Sequence, residues 1–217
     1  MWNSFGAAIG IYRAARTLEK KAYIVINNPT SSIRPLMDGF LHSQDYDSRM
    51  FVTSHEAKEI VDDNTVVVVV DTNRPGYTEC EELLYMTKTI VVLDHHRQSK
   101  DIIQNAVLSY IEPYASSACE MVAEILQYFA DGIRIRNIEA DSLYAGICKP
   151  VCVPGLSQLL QPDLRPGHAL RHVIQPQQYT AQLQILPSAI SIHQRNKRLL
   201  FFRMTIILLQ HFIQRFG

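Results

Sequence analysis

An open, mostly parallel α/β sheet flanked by helices is the fold this sequence predicts, and three observations predict it. Short, uniformly apolar runs alternate with segments of helical periodicity through the first two thirds of the chain. The two most apolar runs, Val66 to Val70 and Thr89 to Leu93, are separated by a single helical segment, the order of a βαβ unit. Each of these runs ends in an aspartate, Asp71 and Asp94.

The elements follow in order. Phe5, Ala8, Ile9, Tyr12, Ala15 and Leu18 recur at three- and four-residue spacing, so Ser4 to Lys20 is expected to be a helix with Ser4 as its cap. Ala22 to Ile26 is a short apolar run stopped by Asn27-Asn28-Pro29, a strand and its turn. A second helix is expected over Ile33 to His42 and a brief strand over Met50 to Val52. Ser54, with Glu56 in the first turn, starts a helix through Val61. The five valines 66–70 are too few for most helices and too uniformly apolar for a strand with one wet face, so a strand buried on both sides is expected. Glu79 to Lys88 reads as the crossover helix, Ala106 to Ile111 as a further strand, and Ser116 or Ser117 caps a helix to Phe129. Ile138 to Ile147 is a further short helix or a helix-to-strand transition.

The texture changes near residue 147. Lys and Arg number 21 and Asp and Glu 21 over the 217 residues, yet residues 148–217 hold eight of the bases and one acid, Asp163. They also hold six of the ten prolines and few caps or turns, so two parts are expected: a domain over 1–147 and an irregular, poorly folded or disordered tail over 148–217. A frameshift in the coding sequence accounts for this texture, and so does a basic tail that binds a partner. Scattered bases with few aromatic platforms argue against a nucleic-acid surface. Four cysteines without paired CxxC spacing speak against a disulfide framework or structural zinc and suit a reducing cytoplasm. No stretch reaches the roughly 20 apolar residues of a membrane span, and Leu199 to Ile213 is interrupted by Arg203.

The chemistry concentrates where the two apolar strands end. Parallel neighbours deliver Asp71 and Asp94 to one carboxyl edge, the edge at which open α/β sheets bind ligands. His95 and His96 follow Asp94 directly, and a mixed carboxylate and imidazole set suits a divalent cation such as Mn²⁺. Taken singly, each residue has a plainer role: Asp71 can bond the Thr72-Asn73-Arg74-Pro75 turn, Asp94 can cap, and a lone His95 is more often surface than ligand. Together they point to a metal site.

These motifs resemble those of the DHH phosphoesterases. Asp71-Thr72-Asn73-Arg74-Pro75, Asp94-His95-His96-Arg97 and Ile111-Glu112-Pro113-Tyr114-Ala115-Ser116-Ser117-Ala118 are most like the DHH domain of bacterial cyclic di-AMP phosphodiesterases. The resemblance, from about Asn3 to Gly146, implies that Asp71 bridges two metal ions, that His95 ligates one of them, and that catalytic His96 stands beside the scissile phosphate. Asp94 is expected to orient the His95 ring. Arg74 and Arg97 are candidates to hold phosphate, and Ser116 and Ser117 to touch substrate, although capping accounts for one serine and solvation for either arginine. The implied substrate is a cyclic dinucleotide or a short oligonucleotide, with nanoRNA or pAp phosphatase chemistry, or a non-catalytic nucleotide-binding remnant, as alternatives. A homo-oligomer is compatible with the sequence.

The departures set further expectations. Family members open with His-x-x-Pro-Asp-x-Asp-Ser, whereas Asn3 occupies the place of its last aspartate, so a domain truncated at its N-terminus is expected, with Asn3 a weak ligand through its amide oxygen. An aspartate expected shortly after Ala145-Gly146-Ile147 is replaced by Cys148-Lys149-Pro150, and the family's second, substrate-clasping domain is not recognisable in 148–217. At most one Mn²⁺, weakly held, and negligible turnover are therefore expected.

Overall fold

The computed structural model describes residues 2–98, 100–129 and 133–148. The expectation of an irregular tail over 148–217 thus falls, from residue 149 onward, outside the described residues.

All the strand pairings among the described residues are parallel, as expected, but they form two sheets. β1 (Ile24–Val25) pairs with β2 (Phe51–Val52), and β3 (Val66–Val70), β4 (Thr89–Asp94) and β5 (Leu108–Ile111) form the second sheet in that order. Val66 is opposite Thr89 and Val70 opposite Leu93, so Asp71 and Asp94 leave the sheet at one level. β4, the central strand, is buried along its whole length. β3 departs from the expectation of a strand buried on both sides: of its five valines only Val69 is buried. The reason is positional, since β3 is an edge strand of its sheet and borders a cleft rather than a neighbour.

Helix α1 (Trp2–Thr17) starts two residues before the expected cap. It is buried on two sides. Phe5, Ile9 and Tyr12 join Ile24, Met37 and Phe40 in one cluster, while Ala7, Ile11 and Ala14 join Val91 and Leu93 of β4 with Val122 and Leu126 in another. α2 (Arg34–Leu41) carries its proline in the first turn, where no amide is needed. In α3 (Ser54–Ile60) the cap is Thr53, not Ser54: Glu56 donates its amide to Thr53 Oγ1, and the Thr53 amide donates to Glu56 Oε2 at 2.7 Å. The expected crossover helix shrinks to α4 (Leu83–Met86), preceded by a 3-10 turn at Pro75–Tyr77. α5 (Ala118–Phe129) and α6 (Asn137–Cys148) complete the fold.

Glycines let the helices approach. A Cβ on Gly6 would stand 2.4 Å from the Ser142 carbonyl oxygen, and one on Gly146 would stand 2.2 Å from Cys119 Sγ. α1 and α6 therefore pack backbone against backbone, with the Cys119 side chain of α5 against both glycines, which fixes where the first turn of α1 lies. A buried ion pair locks the same helices further along. Glu139 of α6 is fully buried, and it accepts from the Nε and Nη2 of Arg13 on α1, from the Tyr46 hydroxyl at 2.9 Å and from the Arg136 amide at 2.9 Å. Burial, together with the Glu139 charge, pushes the Tyr46 hydroxyl well above its ordinary pKa, so it stays a donor. Replacing Glu139 by Gln leaves the Arg13 guanidinium buried without its counter-charge; Glu139→Gln should destabilise the chain by about 3 kcal/mol in urea unfolding. A loss below about 0.5 kcal/mol would show that the network does not hold the helices.

Candidate metal centre

Asp71 follows β3 with φ of 65°, in the left-handed region that a residue with a Cβ rarely enters. Such a conformation costs on the order of 1–3 kcal/mol and persists where surrounding bonds impose it. Three such bonds do so here. The Asp71 amide donates to Leu93 O at 3.0 Å, Asn3 Nδ2 donates to its Oδ1 at 2.5 Å, and Ser4 Oγ donates to its Oδ2 at 2.8 Å. Ser4 is thus not the helix cap but a donor from the first turn of α1, the positive end of the helix dipole and so a favourable setting for a carboxylate.

His95 and His96 leave β4 beside it. His95 Nε2 lies 3.3 Å from Asp71 Oδ1, and one ligand atom from each of Asp71, His95 and His96 falls within 4.8 Å of the others. Asp71 and His95 are mostly buried, with 12% and 20% of their side chains exposed, while His96 is 58% exposed and faces the open side. The fully buried Asp94 is placed differently from the expectation. Its Oδ1 is 2.7 Å from Nδ1 of His96, not of His95, and its Oδ2 accepts from Asn73 Nδ2 at 2.6 Å. His95 is oriented instead by the Ala115 carbonyl, 3.3 Å from its Nδ1. The reason is the chain direction after β4: Asp94 points inward and reaches the ring two residues on. In both histidines the Nδ1 nitrogen is engaged, which directs Nε2 toward the site.

Asn3 also departs from its expected part. Its Oδ1 accepts from the Cys119 amide at 2.9 Å, and since an amide N–H can only donate, this fixes which way the side chain is turned. The –NH₂ group therefore faces Asp71 and stands 3.2 Å from His95 Nε2. Toward the cluster Asn3 offers donors, which compete with a cation rather than ligate it. Cys119 supports the arrangement, its thiol donating to Asn3 O at 3.0 Å. Burial and the Asp71 charge push that thiol far above its ordinary pKa, so it remains protonated.

The remaining candidates divide. Arg74 lies on the same cleft as Asp71 and His96, its guanidinium 5.5 Å from the Tyr77 ring centre. Arg97 lines a separate shallow hollow with Ser109, Ile111 and Pro113. Ser116 and Ser117 are both engaged by Glu120: its carboxylate accepts from Ser116 Oγ at 2.7 Å, and its amide donates to Ser117 Oγ at 3.0 Å, capping α5. Four supporting residues escaped the sequence reading as parts of the site: Ser4, Asn73, Ala115 and Cys119. Asn73, two positions after Asp71 within the motif, offered a signal; a backbone carbonyl offers none.

A family model described as the DHH family, N-terminal domain, matches residues 3–147. The chain belongs to the DHH family. Over 147 residues this DHH chain is 42% identical to the cyclic-di-AMP phosphodiesterase GdpP of Bacillus subtilis, an alignment covering 67% of the chain and 22% of that protein. It is 35% identical over 146 residues to the cyclic-di-AMP phosphodiesterase PdeA of Listeria monocytogenes, covering 65% and 22% respectively. The match thus spans about a fifth of the length of these curated relatives. An exopolyphosphatase-related protein from Bacteroides fragilis shares the fold, with a TM-score of 0.52 at 16% identity, covering 80% of this chain and 48% of that one. The DHH domain is metal-dependent as a family, and the Asp71, His95 and His96 donor set, one carboxylate and two imidazoles, fits one divalent cation.

Removing the carboxylate that holds His96 should be felt by a metal ion. Asp94→Asn, which keeps the shape but weakens the bond to the ring, is expected to lower Mn²⁺ affinity about 10-fold or more, read by calorimetric titration.

Proposed function

We propose that this chain is the metal-binding part of a phosphodiesterase acting on cyclic di-AMP or a related dinucleotide, and that as it stands it binds one Mn²⁺ weakly and turns over poorly. The observation that carries the reading is the Asp71, His95 and His96 cluster at the carboxyl ends of adjacent parallel strands. The identity to GdpP and PdeA supports the dinucleotide as substrate. A divalent ion, when bound, supplies positive charge against phosphate oxygens and lowers the pKa of a water. The chain's own groups do the rest: His96, oriented by Asp94, faces the open side where a scissile phosphate would lie, and Arg74 adds a fixed positive charge on the same cleft. Localisation in the cytoplasm and a homo-oligomeric state belong to this proposal; among the described residues no helix is long and apolar enough to cross a membrane.

Weak binding follows from Asn3. Two-ion hydrolysis needs ions roughly 3.5–4 Å apart that would share a carboxylate, and both oxygens of Asp71 already accept hydrogen bonds, Oδ1 from Asn3 and Oδ2 from Ser4. The same observation favours the second reading, a nucleotide-binding remnant without turnover, which differs in consuming no substrate.

Calorimetric titration with Mn²⁺ and hydrolysis assays on cyclic di-AMP, pApA and pAp test this. One weak site lost in His95→Ala, with little or no turnover of the parent chain, is the expected result; robust turnover abolished by His95→Ala would overturn the claim of impairment. Asn3→Asp should raise Mn²⁺ affinity at least tenfold while lowering the melting temperature without metal, because two carboxylates then face each other at hydrogen-bond distance. Unchanged affinity would mean that Asn3 does not limit the site.

A further inference from the structure

The chain from Asp71 to Thr78 is held at nearly every residue. The Arg74 amide donates to Thr72 Oγ1 at 3.2 Å, the Tyr77 amide to Arg74 O at 3.2 Å, and the Thr78 hydroxyl to Pro75 O at 2.7 Å. Asn73 is buried; its side chain donates to Asp94, and its carbonyl accepts from the Ile103 amide at 2.9 Å. Pro75 fixes one further backbone angle. The loop that carries Asp71 at one end therefore presents Tyr77 near its other end in a set position.

The fold makes little use of that ring. Tyr77 is 74% exposed, and no residue of the 3-10 turn Pro75–Tyr77 is buried. An aromatic side chain is a large apolar surface to leave in water. One of its faces is occupied: the Arg74 guanidinium lies over the ring, 5.5 Å from its centre. With so much of the residue in solvent, the opposite face is open. Tyr85 of α4 is 71% exposed but does not line the cleft, which is about 660 Å³ in volume and separates β1 from β3; Tyr77 lines it together with Arg74, Asp71, Asp94 and His96.

The surroundings of the ring narrow its use. Arg74, Thr78 and Glu79, its neighbours along the chain that also line the cleft, are polar, so the ring is not part of the wider apolar patch that marks a protein interface. A flat ligand that carries phosphate needs one ring face and a nearby positive charge. Tyr77 and Arg74 supply both, on a cleft that the metal centre shares.

We infer that Tyr77 is the platform on which one base of the substrate stacks, with the base on the open face of the ring and Arg74 on the other. This assignment rests on the dinucleotide reading above and adds to it the residue that grips the base. The guanidinium fixes the plane of the ring and keeps its charge beside the phosphate that the base carries with it. A stack senses the face of a base and none of its hydrogen-bonding edges, so any base is accepted and the larger purine is favoured. Because the loop is already bonded in place, little ordering opposes binding.

Titrations of the full 217-residue chain with AMP and with ribose 5-phosphate, followed by NMR in the presence of Mn²⁺, separate base from phosphate, because the two ligands share sugar and phosphate and differ in the base. Tyr77→Ala should weaken AMP about tenfold, the scale of one base stacked on one ring, and leave ribose 5-phosphate within about twofold of the parent. Tyr77→Phe should keep the parent's affinity, and Tyr85→Ala should alter neither ligand. AMP should bind the parent more tightly than UMP does, and Tyr77→Ala should narrow that gap. In Tyr77→Trp, AMP but not ribose 5-phosphate should quench indole emission beyond any change at Trp2 in the parent, a signature of stacking that does not depend on how the alanine variant folds. The proposal is overturned if the parent binds AMP and Tyr77→Ala binds it equally well, or if Tyr77→Ala weakens AMP and ribose 5-phosphate alike, the behaviour of a ring that only positions Arg74. Either result leaves the nucleotide reading standing, whereas a parent that binds Mn²⁺ but neither AMP nor UMP overturns both.

Discussion

The parallel register of β3 on β4 is the constraint on which the site depends. Val70 lies opposite Leu93, so Asp71 and Asp94 emerge side by side and His95 follows within reach of the Asp71 carboxylate. Because side chains alternate from face to face along a strand, a slip of one residue would turn Asp94 out of the interior and separate the pair. The register is held by burial: β4 is covered along its whole length, and its Val91 and Leu93 face α1 and α5 while Ile90 and Val92 pack on Leu84 and Ile103. Apolar burial worth on the order of 25 cal/mol per Å² thus fixes the position of polar groups that contribute little to stability themselves.

The second determinant is the docking of α1. Glycines at 6 and 146 allow backbone contact between α1 and α6 and close approach of the Cys119 side chain of α5, and the Arg13 to Glu139 pair sets the helix along its axis. With α1 so placed, Asn3 and Ser4 arrive at Asp71 and hold it in a left-handed conformation. The strain at Asp71 and the donors around it are two sides of one arrangement: the carboxylate is aimed into the cluster because its backbone is bent out of the sheet. Asn3 makes the same contact an obstacle to a cation, since its donors, not its oxygen, face inward. The difference between amide and carboxylate at this position is thus the difference between donors and acceptors facing Asp71 and His95.

The cleft between β1 and β3 connects the fold to the site. The modest burial of Val66, Val67, Val68 and Val70, in a run as apolar as any in the chain, has the same origin: these residues carry the composition of an interior strand and stand at a boundary.

Composition and spacing by themselves determined the alternation of strands and helices, the parallel pairing of the two apolar runs, and the placing of Asp71, His95 and His96 together, because periodicity and strand direction are local properties and a βαβ unit has few ways to close. Tertiary structure alone decided which ring Asp94 orients, that the Ala115 carbonyl serves the other ring, and which end of the Asn3 amide looks into the site. Those choices rest on angles between elements far apart in the chain, Asn3 with Cys119 and Asn73 with Asp94, and on backbone groups that every residue type carries alike. The five valines show the same limit from the other side: their burial depends on a neighbour in space, and no pattern within the run specifies whether that neighbour is present.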